Sequence, residues 1–90
     1  MDRESLRQSV IEYTRMLTPI ADMAVLLDMH ESDLRDILSD PDDDIAKAFR
    51  RTKAEVALDI RKRDIEMAAA GSPTAAVTVS NHLAKLLTDD

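Results

Sequence analysis

The sequence predicts an all-α protein, an N-terminal helix-turn-helix bundle followed by a long-helix antiparallel hairpin. Three observations lead there. The chain has 90 residues with one glycine and three prolines, and these punctuate it into helix-length segments. Within the segments, apolar residues recur three and four positions apart, the period of one helical face. No stretch shows the two-residue alternation of a half-buried strand, and no internal repeat is present.

The first helix is expected over about residues 2–17, where Leu6, Val10, Tyr13 and Leu17 fall on one face. Thr18-Pro19 then stops it and starts the next, with Thr18 as cap and Pro19 at the first helical position. The second helix covers about 19–27. After Asp28-Met29-His30 a third covers about 31–38, with Leu34, Ile37 and Leu38 apolar. Asp40-Pro41 repeats the cap signal, and Asp42, Asp43 and Asp44 sit where a helix dipole favours negative charge. No breaker follows until Gly71, which predicts a helix of roughly thirty residues, about 45 Å long. Gly71 reads as its stop. Ser72-Pro73 recaps a last helix over about 73–87, and so short a connection forces a hairpin. Asp89-Asp90 is expected to fray. The organisation is then 1–40, a helix-turn-helix region, and 41–90, a hairpin for oligomerisation.

Composition limits how such a chain becomes stable. Tyr13 and Phe49 are its only aromatics and it has no cysteine, so neither large rings nor disulfides supply stability. The core must be Leu, Ile, Val, Met and Ala, and association between copies is a natural source of further burial. No apolar run approaches the ~20 residues of a membrane span, and no signal-peptide pattern is present. A soluble protein of a reducing, cytoplasmic compartment is the plain reading.

The charge is unevenly spread. Net charge is −6, yet residues 1–46 carry 4 basic and 12 acidic side chains while residues 47–63 carry 7 basic and 2 acidic. Overall acidity argues against nucleic-acid binding, because phosphate neutralisation supplies much of that affinity. The basic stretch argues the other way.

Residues 20–38 read as a helix-turn-helix. Met23 and Ala24 stand where such a unit wants an apolar residue followed by a small one; Leu27 closes the first helix and Met29 plugs the turn. Leu34 and Ile37 bury the second helix. Asp28 occupies the left-handed turn position often held by Gly. The outward positions of the second helix are Glu31, Ser32, Asp33, Arg35 and Asp36. Of these, Ser32 and Arg35 are the groups placed to contact DNA, while the three carboxylates repel phosphate. The alternative is a helical corner with no role on DNA.

On the long helix, Ile45, Phe49, Val56, Ile60 and Met67 share a narrow arc, the expected core stripe. Lys47, Arg50, Arg51, Arg61 and Lys62 cluster opposite, with Ala54, Leu58 and Ile65 further along that side. The second half is therefore apolar on two faces and must be covered on two. The last helix covers one through Ala76, Val79, Leu83 and Leu86. Ala54, Leu58, Ile65, Val77, Ala84 and Leu87 are then expected to meet other copies; the alternative is a thicker core within one chain. The basic stretch, with Lys47, Arg50, Arg51, Lys53, Arg61 and Lys62, has two open readings. One is phosphate contact. The other is ion pairing, within the helix (Arg51–Glu55, Lys62–Glu66) or with acidic helices of a neighbour.

Catalytic patterns are missing. One glycine cannot build a phosphate-cradling loop. The aspartate run 40–44 is no calcium loop, because the position that needs Gly is Ile45 and the twelfth is Arg51 rather than Glu. His30 and His82 lack paired-ligand spacing and read as a helix-turn cap and a helix-face polar residue. No enzyme activity, cofactor or metal is expected.

The order of these features resembles the small terminase subunits of tailed bacteriophages. The residues that carry the resemblance are 20–38 (IADMAVLLDMHESDLRDIL), 45–54 (IAKAFRRTKA), 55–70 (EVALDIRKRDIEMAAA) and 71–75 (GSPTA). In that family a Gly often precedes the lysine that here is Lys53; this chain has Thr52. The resemblance implies a non-catalytic DNA-packaging adaptor in the host cell cytoplasm. It would form a homo-oligomeric ring through residues 44–87, bind double-stranded viral DNA through residues 31–36, and regulate the large terminase subunit. The other readings are a dimeric helix-turn-helix transcription regulator and a helical protein-interaction module without DNA binding.

Overall fold

The structure, a computed structural model, describes residues 2–88, so the fraying expected at Asp89-Asp90 lies outside the described residues. Five helices and no strand occur among them: α1 (Arg3–Arg15), α2 (Ile20–Leu26), α3 (Glu31–Ser39), α4 (Asp44–Ala69) and α5 (Pro73–Thr88). The all-α class is as expected. The chain divides into two compact units, one reaching Glu55 and the other starting at Val56, with the division inside α4.

In the first unit, α1 opens at Asp2, whose carboxylate accepts the backbone N–H of Ser5 at 2.7 Å. Leu6, Val10 and Thr14 are its buried positions. The helix ends on a left-handed residue, Leu17 (φ 60°): Thr18 N–H reaches back to Tyr13 O at 3.0 Å and Leu17 N–H to Thr14 O at 3.0 Å. Leu17 is therefore not on the core stripe; its side chain is 66% exposed. A left-handed non-glycine residue costs about 1–2 kcal/mol. The pressure to stop there comes from Pro19, which pushes Thr18 out of helical geometry.

The cap at Thr18 also differs from expectation. Pro19 is extended (ψ 151°) and is itself the capping position, without a side-chain cap bond, so α2 starts one residue later, at Ile20. At the end of α2 the sequence reading holds: Asp28 is left-handed (φ 56°), with Met29 N–H on Ala24 O at 2.9 Å. His30 sits at the capping position of α3, but its ring makes no cap bond.

The start of α4 is a further correction. Asp40 does not cap it. Asp40 turns the chain by accepting the N–H of Asp42 at 3.0 Å, and Asp43 caps the helix by accepting the N–H of Ile45 at 2.7 Å. The helix is thus 26 residues long. Arg3 donates to the same Asp43 oxygen at 2.8 Å, tying the start of α1 to the start of α4.

The core of this unit gathers Leu6, Val10, Met23, Ala24, Leu27, Leu34, Leu38, Ile45 and Phe49, with Tyr13, Ile20, Met29 and Ile37 packed against it. Two buried hydroxyls are satisfied within their own helices: Thr14 donates to Val10 O and Thr52 to Ala48 O.

In the second unit, α4 ends as expected at Gly71 (φ 97°), with Ser72 N–H on Met67 O at 3.1 Å and Gly71 N–H on Ala68 O at 3.0 Å. Ser72 Oγ accepts the N–H of Ala75 at 3.3 Å, and Pro73 is the first residue of α5. The reversal brings His82 of α5 to Asp64 of α4. Burial here is slight. Ala75, not Ala76, is the buried residue of α5, and Leu83 and Leu86 are exposed. On α4 the expected core stripe ends after Phe49: Val56 is half-buried, while Ile60 and Met67 are exposed. Two helices alone cannot cover both apolar faces, so the stripe continues in the sequence without a covering layer.

Candidate interaction surfaces

Three surfaces stand out, each built from the local chemistry of its helices. The first is the outward side of α3. Ser32 and Arg35 are both exposed, as a DNA-reading helix requires. Arg35, however, is engaged: its Nε donates to Glu31 Oε2 at 2.8 Å, one turn earlier on the same helix. With Glu31, Asp33 and Asp36 exposed beside it, this side of α3 presents carboxylates where phosphate contact needs cations.

The second surface is basic and lies on α4. Lys47, Arg50, Arg51 and Lys53 are exposed in the first unit; Arg61 and Lys62 are exposed in the second. Arg51 approaches Glu55 at 3.7 Å, and Glu55 also lies 4.0 Å from Arg15. Of the two within-helix pairs expected, Arg51–Glu55 forms and Lys62–Glu66 does not. Lys53 stands 5.0 Å over the ring of Phe49, so its ammonium is held by a cation–π contact at the edge of the core. Lys47 and Arg50 make no ion pair among the described residues.

The third surface is the hairpin of the second unit. Ala54 lies just before it in the first unit and is exposed. In the hairpin Leu58, Ile65, Val77, Ala84 and Leu87 are all exposed. Exposure of the large apolar residues runs from 41% at Ile60 to 69% at Leu87. Between α4 and α5 lies an open groove of about 500 Å³. Ile65, Val79, Leu83 and Leu86 give it an apolar floor, and Arg61, His82 and Lys85 also line it. His82 Nε2 and Asp64 Oδ2, 3.0 Å apart, clasp the two helices there. His82 is thus a helix-face polar residue, as expected, but its tie to Asp64 was not legible: the two are far apart in sequence and no local spacing joins them.

Met16 and Leu17, after α1, and Val25 and Leu26, on α2, are further exposed apolar residues of the first unit. Val25 and Leu26 belong to the unbroken apolar run Met23–Leu27. Only Met23, Ala24 and Leu27 of that run turn inward.

Among the described residues two carboxyls are shifted, both at helix starts. The backbone N–H of Ile45, and then Arg3, hold Asp43 below the ordinary aspartate value near 3.8. The backbone N–H of Ser5 does the same to Asp2. These are structural caps rather than proton-transfer groups. Among the described residues no helix is long and apolar enough to cross a membrane. Among the described residues no three His, Cys, Asp or Glu side chains gather as a metal site.

Comparisons with protein-family models, with curated proteins and with solved structures found no match to this chain.

Proposed function

We propose that this chain is a non-catalytic adaptor that assembles with copies of itself through the α4–α5 hairpin and engages double-stranded DNA through the basic side of α4. Its biological setting is the one the sequence resembles, the small terminase subunit that marks viral DNA for packaging and regulates the large motor subunit. The observation that carries the reading is the hairpin's unfilled apolar surface. A unit of this size hides one alanine and leaves Leu58, Ile65, Val77, Leu83, Leu86 and Leu87 more than half exposed. Chains below ~40 residues rarely hold a core without a partner. Covering the exposed half of a Leu, Ile or Val gives roughly 1 kcal/mol, so six such residues supply several kcal/mol toward association.

Light scattering across a range of concentrations tests this. Assembly gives a mass several times 10.0 kDa; a mass fixed at one chain throughout sinks the proposal. The DNA part has its own arm. Arg50→Ala with Arg51→Ala should weaken binding to duplex DNA at low salt and leave the mass unchanged.

A second reading is a protein-interaction module without DNA binding, favoured by the carboxylates along α3 and the Arg35–Glu31 pair. It gains the field if duplex binding is undetectable at low salt and the Arg50/Arg51 change alters mass instead.

A further inference from the structure

The helix-turn-helix region has a surface that does not suit phosphate. Residues 20–44 carry nine carboxylates and a single cation, Arg35, which Glu31 already engages. On α2, Asp22, Val25 and Leu26 are spaced three and four apart, so they form one ridge. Val25 is 78% exposed and Leu26 58%, both more open than a core residue of a short helix should be. The ridge is therefore apolar along its crest and acidic on its flank.

The hairpin groove has the opposite character. Its floor is Ile65, Val79, Leu83 and Leu86, and its cations are Arg61 and Lys85. Asp64 is occupied by His82, and neither Arg61 nor Lys85 has an ion-pair partner among the described residues. Two such grooves laid face to face would set like charges against each other. An apolar ridge flanked by the Asp22 carboxylate suits both the apolar and the cationic lining of the groove.

We infer that the groove between α4 and α5 receives the Asp22–Val25–Leu26 ridge of a second copy of this chain, so that the helix-turn-helix region is a docking element between protomers. Such a contact is heterologous, with a different patch on each partner, and it leaves a free ridge at one end and a free groove at the other. Assembly then proceeds beyond two copies, into a closed ring or an open chain according to the rotation between neighbours. The inference rests on the self-association proposed above and specifies which surfaces meet.

The test uses the whole chain and two sets of exposed-site changes. Asp22→Lys with Val25→Ser spoils the ridge; Arg61→Glu with Lys85→Glu spoils the groove. Helix content by circular dichroism checks that each variant folds, and Leu26→Ser serves as a second, milder ridge variant. Each variant alone should need at least about tenfold more protein to assemble than the unaltered chain, and the defect of the charge-reversed forms should shrink in high salt. An equimolar mixture of ridge and groove variants should regain a pair, because one copy keeps a sound groove and the other a sound ridge. A ridge variant of undiminished mass overturns this inference and leaves hairpin association standing. So does a mixture that recovers nothing, or a groove variant that loses DNA affinity but no mass. An unaltered chain that stays monomeric at every concentration removes both.

Discussion

Leu34→Ala is the sharpest probe of the first unit. Leu34 lies on α3, is 0% exposed, and belongs to the cluster that joins α1, α2, α3 and the start of α4. Truncation to Ala deletes three carbons, about 2.4 kcal/mol at ~0.8 kcal/mol per buried methylene. The void adds to this at ~24 cal/mol per Å³, and leucine truncations in cores total about 3–5 kcal/mol. A unit of roughly fifty-five residues holds about 3–8 kcal/mol of stability in all. The change should therefore remove between roughly two-fifths of it and all of it. Urea unfolding followed by circular dichroism at one fixed protein concentration reads the loss, with the slope unchanged if the transition stays two-state. A loss under about 1 kcal/mol would refute the reasoning, because it would mean that α3 does not pack its leucine into a shared interior.

The other predictions concern termini, charge and the hairpin. Gly71→Ala meets no neighbouring atom, so its cost is the strain of φ 97° alone, about 1 kcal/mol or more, read as a lower melting midpoint. Asp43 and Asp2 titrate below their unfolded value, so they favour the folded state when ionised. Their contribution is complete above about pH 5 and declines as pH falls through 4 and below; Asp43→Asn should flatten that acid-side loss, and an unchanged acid profile would contradict the capping role. Leu86→Ala should cost little in a dilute monomer, where the side chain is 65% exposed, but should raise the concentration needed for assembly. Equal effects at low and high concentration would argue against a covered hairpin.

Much of the local structure was legible because it depends on single residues with narrow conformational needs. Asp28 and Gly71 were read as turn residues and both have positive φ. Ser72-Pro73 was read as a helix start and Ser72 caps α5. Where several residues competed for one role, sequence alone chose wrongly. Any of four aspartates was chemically able to cap α4, and the role fell to Asp43, the one that also meets Arg3 from the far end of the unit. Leu17 fitted the apolar period of α1, yet the approach of Pro19 made it the left-handed stop. For the candidate surfaces, the basic residues of α4 were found as exposed groups. The engagement of Arg35 by Glu31 and of Lys53 by the Phe49 ring came only with the fold.

By itself, then, the order of residues determined that the chain is helical, where most of its helices break, and which segments are acidic, basic or apolar. These follow from backbone preferences and from spacing along one helix, which act between near neighbours. Tertiary structure decided which apolar residues are covered. Val25 and Leu26 differ from Met23 and Ala24, and Ile60 from Phe49, in whether another helix stands opposite rather than in hydrophobicity. That depends on contacts between residues far apart in the chain, and periodicity carries no record of them.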